Sequence, residues 1–222
     1  MLTQIYEVTS AEEARSIVAI GVDHIGVLVG DGLFPREQPV AVAQTIAAAI
    51  TAPAKLSALF LTNDIECIAA AARRLAAPIV HLGAAPELLQ PAAVARLKAS
   101  LPGVRIMRSI PVVDAESVAL ALSYEGIADL LLLDSYRAAD RQIGALGLTH
   151  DWSLSRRIVE AVAVPVILAG GLGPDNVADA IARVGPAGVD SKTKTDRNGS
   201  HTKDLAKVRR FHANAHAAGR RV

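Results

Sequence analysis

The chain has 222 residues, a formal net charge of +1, 51% hydrophobic and 20% charged residues. That suits one large α/β unit and gives no electrostatic argument for nucleic acid or a membrane surface. Aromatic residues make up only 3%, so Ala, Val, Leu and Ile must fill the core, and the single cysteine, Cys67, excludes an internal disulfide or a cysteine-cluster metal site. No apolar run reaches membrane-spanning length, and the strand-like opening lacks the pattern of a secretory leader, so a cytoplasmic location is expected.

Thr3 to Val8 reads as a strand. Ser10 and Glu13 form a capping box for a helix with an apolar stripe at Ala14, Ile17, Val18 and Ile20, stopped by Gly21. Val22 to Val29 is the second strand, followed by a loop to Pro39 and an Ala-rich helix from Val40 to Ile50. Lys55 to Leu61 is the third strand; Asn63 or Asp64 caps a helix running to Leu75. Pro78 to Leu82 is a short fourth strand, before a helix from Pro86 to Ser100. Val104 to Ile110 and the helix from Asp114 to Tyr124 make the fifth pair.

Ala128 to Leu133 is the sixth strand, ending at Asp134. A longer loop, Ser135 to Asp151, precedes the helix from Trp152 to Val162. The seventh strand, Val164 to Ala169, turns through Gly170, Gly171 and Gly173. Pro174 suits the first position of the next helix, in which Val177, Ala180, Ile181 and Val184 recur at helical spacing before Gly185. Ala187 to Asp190 is the eighth strand, and a polar stretch, Ser191 to Thr202, leads to a last helix ending near Ala217.

Eight strand–helix pairs with short connections and continuously apolar strands imply a parallel sheet covered by helices. In a chain of this length they fit a single closed (β/α)8 barrel, residues 1–222, better than an open doubly wound sheet. Function in such a barrel sits after the strands. The candidates are therefore Tyr6, Glu7, Asp31, Arg36, Asn63, Asp64, His81, Arg108, Asp134, Gly170, Gly171 and the stretch Ser191 to Thr195. The glycine turn after strand seven lets backbone N–H groups approach an anion at a helix start. Cys67, inside a helix, reads as a packed structural thiol. His212 and His216 read as a solvated helix face rather than a metal pair.

Several stretches together resemble the phosphoribosylanthranilate isomerase family. They are Leu132-Leu133-Asp134-Ser135, the glycine-rich run Gly144 to Thr149 leading into Asp151-Trp152, Ala169 to Val177, and Gly188-Val189-Asp190 with Gly199 and Lys203-Asp204. Pro78-Ile79-Val80-His81 fits as well. The resemblance implies a small (β/α)8 barrel of tryptophan biosynthesis that isomerises a phosphorylated aminoaldose to an aminoketose. It implies no cofactor, no metal and no macromolecular partner beyond itself, as monomer or homodimer. It makes Asp134 the general acid, Gly170 and Gly171 the phosphate turn, and Arg36 the arginine that contacts the aromatic acid. His81, Ser191, Lys192 and Thr193 join the expected substrate-binding set.

The chain departs from this family at two places. The family carries a cysteine base in a Lys-Ile-Cys-Gly stretch, where this chain has Gln4-Ile5-Tyr6-Glu7. Either Tyr6 or Glu7 stands in for it, or the chain is a paralogue acting on a different phosphosugar, or a barrel that binds a phosphorylated ligand without catalysis. Tyrosine is a poor base at neutral pH unless its pKa is strongly shifted. Glu7 is the better base, but strand alternation turns it away from Tyr6 unless the strand has already ended. After strand eight the family has small residues, roughly Ser-Ser-Gly, where this chain has Ser191-Lys192-Thr193-Lys194-Thr195; two lysines there suit a phosphate or, equally, a solvated loop.

Overall fold

The computed structural model describes residues 1–137, 139 and 142–220. Part of the expected loop after strand six (Ala138, Asp140, Arg141) and the last two positions of the expected 1–222 span lie outside the described residues. Eight strands close into a parallel barrel: β1 (Leu2–Ile5), β2 (His24–Leu28), β3 (Lys55–Phe60), β4 (Ile79–Leu82), β5 (Arg105–Pro111), β6 (Leu130–Asp134), β7 (Val166–Leu168) and β8 (Gly188–Ser191). β1 pairs with both β2 and β8, with Leu2 opposite Gly188 and Ile5 opposite Ser191. The open doubly wound alternative is thereby excluded. The outer ring is α1 (Ala11–Ile20), α2 (Val40–Ala47), α3 (Ile65–Leu75), α4 (Pro91–Ser100), α5 (Glu116–Leu122), α6 (Trp152–Ala161), α7 (Val177–Val184) and α8 (Leu205–Gly219). None of the described helices is long and apolar enough to cross a membrane.

The caps follow from side-chain chemistry. Ser10 accepts from the Glu13 N–H, and the Glu13 carboxylate reaches back to the Thr9 N–H, pinning the start of α1. Gly21 ends that helix at φ +100°, a conformation that favours glycine. Asp64 and Asp204 cap α3 and α8.

Strand alternation divides the interior into two zones. Tyr6, Ile79, Met107, Leu130, Leu132 and Ile167 point into the barrel, while a larger cluster seals strands to helices. The barrel interior also carries a polar chain: His24 donates to Gln4, and Gln4 donates to Asp190.

Several expectations need correction. α4 begins at Pro91, not Pro86, because Pro91 takes the first helical position. Pro174 lies in the turn before α7 rather than inside it, and its carbonyl accepts from Asn214. The loop after β6 contains a two-stranded hairpin, Tyr136–Arg137 with Gln142–Ile143. Cys67 is exposed, because α3 buries Ile68, Ala69, Ala72 and Leu75 and leaves Cys67 outside that face. His212 and His216 are half-buried with ring centroids 4.3 Å apart, and His212 bonds Thr3 at 2.9 Å. Arg108 is no mouth residue. Alternation sends Met107 inward and Arg108 outward, fully buried over the Tyr124 ring and donating to the Leu82 carbonyl.

Candidate active site

The strands open at their C-terminal ends onto a cavity of about 590 Å³, beside a second cleft of about 880 Å³. Arg36, Ala145 and Lys192 line both. Tyr6, Glu7, His81 and Asp134 line the first; Gly171 and Thr193 line the second. Gly170 and Ser191 lie between, around a narrow space shared with Asp134. Asp31, Asn63 and Asp64 are exposed and line neither cavity, Asp64 being spent on its helix cap.

Asp134 ends β6. Its carboxylate accepts from the Ser135 N–H at 2.7 Å, and a side chain on Gly144 would collide with it. Burial pushes its pKa up to about 7, against the lowering effect of the Ser135 hydrogen bonds. The carboxyl therefore gives up its proton only near neutrality, about three pH units above a free aspartate.

Tyr6 points into the barrel with its ring over Gly26; a Cβ at position 26 would stand 2.1 Å from a ring carbon. Its hydroxyl bonds Ser57 at 2.7 Å and His81 at 2.6 Å, and His81 bonds Ser109 at 2.7 Å through its other nitrogen. Burial drives the tyrosine pKa well above its ordinary value of 10 and the histidine pKa down to about 3. The chain Ser57–Tyr6–His81–Ser109 is therefore neutral, and Tyr6 supplies phenolate at neutral pH even less readily than free tyrosine does.

Glu7 lies past the end of β1. It adopts φ +58°, so the strict alternation of a strand no longer applies and both Tyr6 and Glu7 face the cavity. Its carboxylate is held by Arg36 through Nε at 2.5 Å and Nη2 at 3.1 Å, with Lys192 at 3.4 Å. Burial raises its pKa, but the Arg36 hydrogen bond and the charges of Lys192, Arg36 and Lys203 outweigh this and hold it below the usual carboxylate value. Arg36 also has a left-handed backbone, φ +71°. Such a conformation costs roughly 1–2 kcal/mol per non-glycine residue, so the pair stands on strained backbone at both ends.

The two departures noted from the sequence meet here. Glu7 replaces a glycine and Lys192 a small residue of the family pattern, and the two form an ion pair. Lys192 also bonds Asp196 at 3.1 Å, and Asp196 is bonded by Lys203, whose side chain is fully buried. Lys192, expected as a phosphate contact, is thus engaged by two carboxylates. Ser191, from the same expected set, spends its hydroxyl on the Leu172 carbonyl.

At the second cleft, Gly171 has φ +61°, and a Cβ there would meet the backbone of Leu148 and Thr149 within 3 Å. The Gly171 N–H finds no acceptor among the described residues, whereas that of Gly173 is taken by Asn176. Thr193 and Lys194 stand exposed opposite. This is a concave, cationic, glycine-lined edge of the kind that receives anions.

Sequence reasoning did not single out Ser57 and Ser109, which complete the tyrosine–histidine chain. Asp190, read only as the end of the eighth strand, reaches the cavity wall and accepts from Gln4. Burial, together with the charge of Asp134, raises its pKa well above normal. Strand parity at β3, β5 and β8 was the available signal for all three.

A closed (β/α)8 barrel whose mouth gathers carboxyls of contrasting environment around a shared cavity places the chain in the (β/α)8 class that carries its chemistry on the loops after the strands. The chain belongs to the N-(5'-phosphoribosyl)anthranilate isomerase family, whose model matches residues 6–214. It is 35% identical over 206 residues to the enzyme of that name from Methanocella arvoryzae, covering 91% of this chain and 92% of that one. It is also 35% identical over 217 residues to that of Haloferax volcanii, covering 95% and 91%. The solved phosphoribosyl anthranilate isomerase from Thermococcus kodakaraensis superposes with a TM-score of 0.75 at 28% identity, covering 96% and 97%. A further phosphoribosyl anthranilate isomerase, solved with reduced 1-(o-carboxyphenylamino)-1-deoxyribulose 5-phosphate, shares the fold with a TM-score of 0.76 at 23% identity, covering 98% and 100%.

Proposed function

We propose that this protein isomerises phosphoribosylanthranilate to its aminoketose, with Asp134 as general acid and Glu7 as general base. One observation carries this reading: of the three carboxyls on one cavity, Asp134 and Asp190 sit in environments that push their pKa values up and Glu7 in one that holds it down, and Asp134, unlike Asp190, is not tied to Gln4. Protonated Asp134 gives its proton to the ring oxygen, the ring C–O bond breaks, and an iminium forms. Ionised Glu7 removes the proton from the adjacent sugar carbon, giving an enolamine that tautomerises to the ketone. Tyr6 takes no proton; it ties the barrel interior to His81. The phosphate seats at Gly170, Gly171 and Thr193. The aromatic ring lies against the apolar wall of Leu28, Phe34, Leu59, Leu61 and Leu88. The ligand of the solved relative carries both a carboxyphenyl group and a 5-phosphate, the two ends this mouth offers to hold.

A second reading, isomerisation of a phosphosugar without an acidic substituent, is favoured by the occupation of Arg36 by Glu7. The test is turnover of phosphoribosylanthranilate by the purified protein and by Glu7→Gln and Asp134→Asn. Each variant is expected to lose about 10²–10⁴-fold in kcat, the usual contribution of a general acid or base. Full activity in Glu7→Gln removes Glu7 from the base role, and no turnover by the wild-type protein removes this substrate.

A further inference from the structure

Arg36 stands on the wall common to the two cavities. It spends Nε and Nη2 on Glu7, and its side chain stays 31% exposed while that of Glu7 is 7% exposed. A guanidinium has a second edge that suits a carboxylate. Glu7 has a second cation in Lys192, itself anchored by Asp196, so loosening Arg36 does not strand a buried carboxylate. The charged groups facing Glu7 are Arg36 from the loop after β2, Lys192, Asp196 and Lys203 from the segment after β8, and Asp190 from β8 itself. Both members of the pair hold left-handed backbone, as residues kept for function rather than packing often do. A carboxylate clamped by arginine is a weak base, so a working base needs the clamp to open.

We propose that Arg36 is a shared cation, bonded to Glu7 in this structure and drawn onto the carboxylate of the bound substrate, so that an acidic substituent releases the base that attacks its own sugar. This rests on the acid–base reading above. Arg36 is then a specificity residue that acts on kcat as well as on binding. A substrate lacking the carboxylate binds but leaves Glu7 clamped.

The experiment compares phosphoribosylanthranilate with its N-phenyl counterpart, which lacks the carboxylate, on the wild-type protein and Arg36→Met, across pH. With the carboxylated substrate, the acid limb of kcat is expected about one pH unit or more above that of kcat/KM, because kcat reports Glu7 in the complex. With the N-phenyl substrate the two limbs coincide, and kcat is roughly tenfold lower. Arg36→Met should raise kcat on the N-phenyl substrate by roughly three- to tenfold, as expected of a base whose pKa climbs toward the working pH, while lowering kcat/KM on the carboxylated one. Equal kcat on both substrates, coincident limbs with the carboxylated one, or equal losses on both in Arg36→Met overturn the handover. Because the limbs are read on the wild-type protein, poor folding of the variant does not shield the proposal. Failure of the wild-type protein to consume phosphoribosylanthranilate sinks the functional reading as well, whereas turnover with coincident limbs sinks the handover alone.

Discussion

Asp134→Asn should inactivate the protein and stabilise it, with the stabilisation appearing only as the pH rises. The carboxyl moves from an ordinary value of 3.8 to about 7 on folding, mainly through burial. Below about pH 4 both folded and unfolded states hold the proton, and the residue contributes no penalty. Between about pH 4 and 7 only the unfolded state ionises, so the wild-type protein loses stability; above pH 7 the loss is complete. A shift of about 3 units at about 1.36 kcal/mol each sets a ceiling near 4 kcal/mol, and screening at an open mouth brings it to about 2 kcal/mol. Asparagine keeps the acceptor for the Ser135 N–H and carries no charge. It also removes the repulsion on Asp190, which acts in the same direction. Urea unfolding at pH 4 and pH 8 checks this. The variant midpoint should match the wild type at pH 4 and exceed it by roughly 0.7–1 M at pH 8. A difference that does not change with pH would falsify burial as the source of the proton on Asp134.

The pH dependence of kcat/KM should show a plateau that falls about tenfold per unit above pH 7, as Asp134 loses its proton, with an acid limb below the ordinary glutamate value of 4.5 because Glu7 is held down. Tyr6→Phe should leave kcat within about threefold while lowering stability by about 1–3 kcal/mol, since Ser57 and His81 lose a buried partner; a collapse of kcat in a folded variant would return a chemical role to Tyr6. Gly171→Val should raise KM for a phosphorylated substrate and also destabilise the fold, because the new side chain meets the Leu148–Thr149 backbone; unchanged KM in a folded variant places the phosphate elsewhere. Lys203→Met should cost about 3–5 kcal/mol in thermal or urea unfolding, by leaving the buried Asp196 short of a cation; a loss under 1 kcal/mol would mean that Lys192 alone neutralises it.

The barrel was legible because its information is local. Capping at Ser10, the stripes of α3 and α7, and apolar runs separated by glycine and polar turns repeat eight times. Asp134 and the Gly170–Gly171 turn were legible because each ends a strand whose length and parity could be counted. The base was not. Whether Glu7 faces the mouth depends on β1 stopping at Ile5 and on a left-handed backbone that no glycine announces. Its partners Arg36 and Lys192 are distant in sequence, so no periodicity connects them. Arg108 and Cys67 failed for a different reason: both were placed by the element that carries them rather than by the face on which they fall.

The closure of the barrel carries a consequence for how the site comes into being. The Lys203 N–H bonds Glu13 across 190 positions, and β8 docks against β1 at the same seam. Asp134 belongs to strands synthesised well before this seam can shut, whereas Glu7 waits for Lys192 and for the Asp196–Lys203 pair behind it. As the chain emerges from the ribosome, Asp134 is in hand early and Glu7 acquires a complete charge environment only with the last strand. A half-barrel fragment ending before β8 would keep Asp134 and lack two of the cations around Glu7. The charge balance of the mouth is therefore a property of the closed ring, and it arrives with closure rather than accumulating strand by strand.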